Sequence, residues 1–405
     1  MQTPERQIAH FDLDAFFVSV ERLKDESLKN KPLIVGGHSD RGVVAACSYE
    51  TRKFGVHSAM PMKQALKLCP EALVIKGDMA SYSKYSRIVT DIIEDAVPVL
   101  EKASIDEFYA DMTGMDKYFK CFPYLLELKQ KIAKEVGLPI SFALASNKMI
   151  SKIATNEAKP NGEIHILNGT EKAFLAPMKI EKIPMVGEGT ATVLHKEGIF
   201  TIGQLAETSI VRLEKILGKN GTGLWFKANG ISTSEVEPYS EQKSISSENT
   251  FEHDTKDKVF LEQEIARLTE KIAYELREEN KLTGCVTVKI RYENFDTLSR
   301  QTTIAYTASD HLLMVVSKRL FQELHDENRP VRLVGVRFSH LIETQPQLSL
   351  FESITDRPQL YKAIDGLKQK FGKDSIQRAI SLQAKNTTHL RPSDPLWLSR
   401  NKEKD

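Results

Sequence analysis

Short apolar runs, each closed by a glycine or a turn, alternate with helical patterns over the first 160 residues, and that alternation restricts the fold to helices packed on sheet. Residues 7–13 (QIAHFDL), 33–37 (LIVGG) and 42–47 (GVVAAC) read as strands, as do 99–103, 108–112 and 139–145. Helices are predicted over 16–23, 61–69, 79–97, 116–136 and 147–158. In 116–136 Phe119, Phe122, Leu125, Leu126 and Ile132 fall at helical spacing, and Pro160-Asn161-Gly162 stops the helix that follows. This reading is an α+β fold with helices covering one face of a mostly antiparallel sheet.

Residues 170–235 change character, with short helices broken by glycine. The stretch 231–247, rich in Ser and Glu and holding Pro238, reads as an interdomain linker. A second α+β unit spans 244–341: Val286, Val288, Ile290 and Tyr292 alternate with Thr287, Lys289 and Arg291, a strand with one dry and one wet face. Helices are expected at 258–279 and 309–325, a strand at 331–338, and a further helix at 357–370 in a polar tail. A length of 405 residues suits two to four such domains.

Asp12 ends the first strand, Asp14 follows two residues on, and Asp106-Glu107 lie in the turn between two later strands. A carboxylate at a strand end faces a cleft from a fixed backbone. Three converging from two strand ends form a negative site that is costly unless cations neutralise it. Hard oxygen ligands suit magnesium, and two such ions clamp the attacking and leaving oxygens of a phosphoryl displacement. An isolated DxD or DE, however, is more often a solvated turn. Composition does not decide the matter. Net charge is +1, which gives nucleic-acid binding no support, although a local basic surface is all that binding needs. Cys47, Cys69, Cys121 and Cys285 are scattered without a CxxC pair and read as reduced thiols of a cytoplasmic protein, not as a disulfide framework or zinc site. The N-terminus has no apolar signal core and no 18-residue apolar run exists, so secretion and membrane spanning are not expected.

The segments HFDLDAFFVSVE (10–21), SYETRKFGV (48–56), ASIDEFYADMTG (103–114) and SNKMISKIATNEAKPNG (146–162) together resemble the Y-family DNA polymerases, most closely the branch called DNA polymerase IV. The resemblance runs from about residue 7 to 341. It implies a right-hand arrangement: a ferredoxin-like palm (1–18 and 78–166), small fingers (19–77), a helical thumb with a helix-hairpin-helix (167–235), a linker (236–243), an α+β little finger (244–341) and a tail (342–405). Asp12, Asp106 and Glu107 would be the metal ligands, with the Leu13 carbonyl, holding two Mg2+ ions, and Asp14 would be structural. Tyr49, Arg52 and Lys159 would bind the incoming triphosphate, an arginine fork suiting phosphate. Phe17 would be the steric gate against a ribose 2′-OH, with Phe16 in the core; read without the family, both phenylalanines could be core.

The chain also departs from the family. Ala46 stands where many relatives have a hydroxyl, leaving one phosphate hydrogen bond missing or made by another group such as Ser48. Met185 stands where the thumb turn usually has glycine, and Gly187 and Gly189 remain as the amides that would approach a DNA phosphate. In the little finger Lys289, Arg291, Arg300 and Arg337 are the expected phosphate contacts, which position DNA without reading bases. Gln347-Leu348-Ser349-Leu350-Phe351 resembles the peptide that binds the bacterial sliding clamp (the beta clamp), with Leu350 and Phe351 as apolar anchors.

The implied reaction is transfer of a deoxynucleoside monophosphate from a dNTP to the 3′-OH of primer-template DNA with release of pyrophosphate. It is low-fidelity translesion synthesis by a monomeric DNA repair and damage-tolerance enzyme, with no segment left for a proofreading exonuclease. A two-metal nucleotide cyclase would share the carboxylates but would not need Phe17, Tyr49 or Arg52. A noncatalytic scaffold bound to the clamp would be expected to lose a carboxylate.

Overall fold

The computed structural model describes residues 5–39, 41–238, 241–343, 358–373 and 375–380, and the chain divides into two compact units, 1–240 and 241–405. The first unit runs β1 (Ile8–Leu13), α1 (Phe16–Lys24), β2 (Leu33–Gly36), β3 (Val44–Cys47), α2 (Tyr49–Arg52), α3 (Met62–Leu68), β4 (Leu73–Ile75), α4 (Met79–Glu94), β5 (Val99–Lys102) and β6 (Glu107–Asp111). It continues with α5 (Cys121–Val136), β7 (Ile140–Ala145), α6 (Lys148–Ala158), β8 (Glu163–His165), α7 (Glu171–Leu175), α8 (Glu188–Lys196), α9 (Ile202–Glu207), α10 (Ile210–Leu217) and α11 (Lys219–Ala228).

Five strands form one sheet in the order β5-β6-β1-β7-β8, antiparallel except where β8 runs beside β7, and β2–β4 form a small sheet of their own. Helices cover both faces of the large sheet, not one as the sequence reading has it. Phe11, Phe108 and Phe142 pack with Val89 and Ile93 of α4 and Leu125 and Ile132 of α5 on one side. Ala143 and Ala145 pack with Met149, Ile150 and Ile153 of α6 on the other. The cause is legible in β1 and β7, each buried at every residue. A strand buried on both faces must be covered on both, and each buried phenylalanine contributes roughly 1.5–3 kcal/mol.

Helix α5 is shorter than its apolar spacing suggests, starting at Cys121 after a separate 3-10 turn at Met115–Lys117. A helix begun at 116 would place Pro123 in its interior, where the ring loses a hydrogen bond and clashes with the preceding turn; starting at Cys121 keeps the proline in the first turn, where it is tolerated. The C-terminus of α6 is set by the loop that follows, because a Cβ on Gly162 would lie 2.0 Å from the Ala158 carbonyl oxygen.

The second unit runs β9 (Ser244–Thr255), α12 (Lys258–Glu278), β10 (Lys281–Tyr292), β11 (Thr297–Thr307), α13 (Asp310–Leu324), β12 (Val331–Glu343) and α14 (Pro358–Phe371). Its sheet, β11-β10-β12-β9, is antiparallel throughout. Val286, Val288 and Ile290 face the core with Leu261, Ile265 and Ile272 of α12 and Leu313, Leu320 and Phe321 of α13. Strand β11 was not anticipated, because TLSRQTTIAYT is too polar for its alternation to stand out, as suits an edge strand. Helix α14 docks through polar groups: Asp365 accepts from Arg277, Tyr361 bonds to Ser309 and His311, and Lys368 pairs with Glu270.

Candidate active site

The register of the large sheet brings the acidic residues together. Asp12 of β1 is the direct partner of Glu107 of β6, and the Leu13 amide donates to the Asp106 carbonyl oxygen at 3.0 Å. Ser104 shapes the turn before β6. Its hydroxyl donates to Asp106 at 2.6 Å and accepts from the Asp106 and Glu107 amides. Asp12 is only 4% exposed. Burial pushes its carboxyl up to about 7, with Asp106 and Glu107 adding to the rise and Lys159 opposing it. Such a carboxylate ionises fully only when cations compensate it.

Two lysines supply part of that compensation across the acidic group. Lys159 Nζ lies 2.5 Å from Asp12 Oδ1, and Lys152 Nζ lies 2.7 Å from both oxygens of Glu107. Three carboxylates and a main-chain carbonyl are the hard oxygen donors that magnesium takes, so the donor set fits such an ion. Among the described residues, however, no three His, Cys, Asp or Glu side chains close on one point. Burial, with Lys152 and Lys159 close by, holds His10 behind this site well below the usual histidine range, so it is neutral.

A cleft of about 130 Å³ opens at Asp12 and Asp106, with Leu13, Phe17, Arg52 and Lys159 among its other lining residues, whereas Glu107 does not line it. Leu13 lines the cleft although the residue as a whole is only 1% exposed. Phe17 stacks on Tyr82, with centroids 4.2 Å and planes 12° apart. Tyr82 is fully buried and its hydroxyl donates to Glu21 at 2.7 Å. The Arg52 guanidinium sits 4.7 Å over the Tyr49 ring. The Tyr49 hydroxyl donates to Asp14 at 3.3 Å, so it is tied to the site's frame. Asp14 is buried and also accepts from the Ser141 hydroxyl and the Asn161 amide, joining β1, β7 and the loop after α6.

Comparison with known proteins gives the family. The impB/mucB/samB family matches residues 11–156 and its C-terminal domain matches 242–350. A DNA polymerase IV of Dehalococcoides mccartyi is 39% identical over 385 residues, 94% of this chain and 99% of that protein. One from Treponema denticola is 36% identical, covering 93% and 96%. The chain belongs to the Y family of DNA polymerases. A solved Y-family DNA polymerase chimera superposes with a TM-score of 0.73 at 29% identity, over 84% of this chain and all of the other.

Within this polymerase the departures from the family pattern have structural consequences. Ser48 does not replace a hydroxyl at Ala46. It is fully buried, and its oxygen accepts from the Leu33 and Thr51 amides as the cap of α2. The hydroxyl that does line the cleft is Ser58, which sequence reading missed because it lies twelve residues past Ala46. Lys152 was missed as well, although its spacing of four from Lys148 places both on one face of α6.

Met185 has φ +78° and is 92% exposed. A left-handed residue with a Cβ costs about 1–2 kcal/mol, which explains why glycine is usual there. Gly187 caps α8 and Gly189 lies in its first turn, and a Cβ on either would meet open space. Met185→Gly is expected to raise stability by about 1 kcal/mol, the relieved strain less the added chain entropy of glycine; urea unfolding measures it, and a loss of stability would refute the strain.

In the second unit Lys289 and Arg291 share the open face of the sheet with Arg337, which is paired in register with Thr287. Arg300 does not belong with them. It is the partner of the buried Val288 and reaches Glu323 of α13 at 3.2 Å, so it lies on the helix side. Lys289 is paired with Glu248. The peptide Gln347–Phe351 lies outside the described residues. All four cysteines are free and buried, and no helix among the described residues is long and apolar enough to cross a membrane.

Proposed function

We propose that the chain is a template-directed, low-fidelity translesion DNA polymerase whose carboxylates hold two Mg2+ ions against a primer 3′-OH and an incoming dNTP. The observation that carries this reading is the pairing of Asp12 with Glu107, next to a cleft lined by Asp12, Asp106, Phe17, Arg52 and Lys159. When bound, the ions lower the pKa of the 3′-OH and stabilise charge at the α-phosphate and leaving group. The protein's own groups orient the reactants. Asp12, Asp106, Glu107 and the Leu13 carbonyl are the ligands. Arg52, braced on Tyr49, and Lys159 take the triphosphate. Phe17, which cannot retreat from Tyr82, bars a 2′-OH.

In this reading residues 1–18 and 78–166 act as palm, 19–77 as fingers, 167–235 as thumb and 244–341 as little finger. Lys289, Arg291 and Arg337 and the amides near Gly187 and Gly189 lie along the DNA backbone. The enzyme works as a monomer in the cytoplasm. Primer extension by the Asp106→Ala chain tests the assignment, which requires the variant to be severely slowed on a template that wild type copies.

The peptide Gln347–Phe351 tethers the polymerase to the sliding clamp, raising its local concentration at the primer end. Changing Leu350 and Phe351 together to Ala is expected to remove clamp stimulation, on the order of 10²-fold in apparent affinity for a primer carrying the clamp, while leaving clamp-free synthesis intact. Undiminished stimulation would end this part of the reading.

A further inference from the structure

Helix α6 sets three lysines against the carboxylate face of the large sheet, Lys148 and Lys152 one turn apart and Lys159 just past its C-terminus. Lys148 is engaged by structural partners, at 2.6 and 2.7 Å from the Glu101 oxygens and 3.1 Å from the Glu235 carbonyl. Lys159 holds Asp12 and lines the cleft. Lys152 differs from both. It does not line the cleft, and its ammonium is 2.7 Å from each oxygen of Glu107, the same oxygens that a divalent cation would take. Ammonium and cation repel one another and compete for one carboxylate. A lysine head on a flexible stem can release one of those oxygens without any movement of α6.

We propose that Lys152 is a positioning residue for Glu107: an exchangeable counter-cation that holds this carboxylate in place before a divalent ion arrives and yields oxygen to it. The proposal rests on Glu107 being a metal ligand. In consequence the carboxylates alone bind the ion weakly, and tight binding waits for the oxygens that a triphosphate adds. Glu107 does not collapse onto another partner in the meantime.

The test is Mn2+ binding to the full chain without nucleotide, followed by the electron paramagnetic resonance of free Mn2+. Lys152→Gln is expected to bind Mn2+ about three- to tenfold tighter than wild type, because a competing charge is gone, and Lys152→Arg to stay near wild type because it keeps that charge. Without divalent ions Lys152→Gln should unfold at a lower temperature than wild type, and Ca2+ should raise its Tm by more. If Lys152→Gln is recovered unfolded, refolding in Ca2+ should restore it, and failure to do so counts against the proposal. Glu107→Gln separates the two readings. Mn2+ affinity unchanged in Glu107→Gln overturns the ligand assignment. Affinity lost there, but not increased in Lys152→Gln, overturns the role of Lys152 alone.

Discussion

Asp106→Ala is expected to extend a primer about 10³- to 10⁵-fold more slowly than wild type in kcat, the loss of roughly 4–7 kcal/mol of transition-state stabilisation when one ligand of the paired cations is removed. The effect is chemical and not structural. Asp106 is partly exposed, and its carboxylate is bonded to the neighbouring Ser104. Surface changes of that kind usually shift stability by less than about 0.5 kcal/mol. Removing it also takes away one of the charges that push the Asp12 carboxyl up, so the folded state loses a repulsion. The informative comparison is single-turnover incorporation with DNA and dNTP both saturating, alongside urea unfolding of the same preparations. Near-normal incorporation by a folded variant would overturn the mechanism.

The second large effect is on sugar selection. Phe17→Ala should lower discrimination against ribonucleotides, measured as the ratio of kcat/KM for dNTP to that for rNTP, by about 10- to 150-fold. That corresponds to roughly 1–3 kcal/mol for forcing an extra group into a packed site. The magnitude depends on how rigid the ring is. Phe17 is stacked on Tyr82, which is itself fully buried and anchored to Glu21, so the gate yields little when an extra oxygen presses on it. Incorporation of dNTPs should persist, because the carboxylates and Arg52 stay in place. A variant with unchanged sugar preference would place the gate elsewhere on the cleft wall.

Much of the candidate site was legible in the chain itself. The apolar run ending in Asp12 and the SIDE turn before β6 place carboxylates at strand ends from local pattern alone, and the AKPNG stop marks the end of α6. The four segments that resemble the family add Phe17, Tyr49, Arg52 and Lys159, all but Tyr49 lining the cleft. Other features were not local. Ser48 reads as a spare hydroxyl, but a backbone amide from β2 occupies it. Arg300 reads as one of a basic group, but antiparallel register turns it to the helix side. A covering for both faces of the sheet could have been read from IAHFDL and ISFALA, largely apolar runs that lack the strict alternation of a strand with one wet face.

By itself the sequence determined most of the strands and helices that frame the site, where the acidic residues stand on them, and to which family the chain belongs, because each is carried by short segments of residues close together along the backbone. Only the tertiary structure decided that Asp12 lies opposite Glu107, that Asp14 is sequestered by Ser141, and that Lys152 and Lys159 neutralise the acidic cluster. Those pairings join strands and a helix far apart in sequence, and strand register and helix packing select them as the whole core closes.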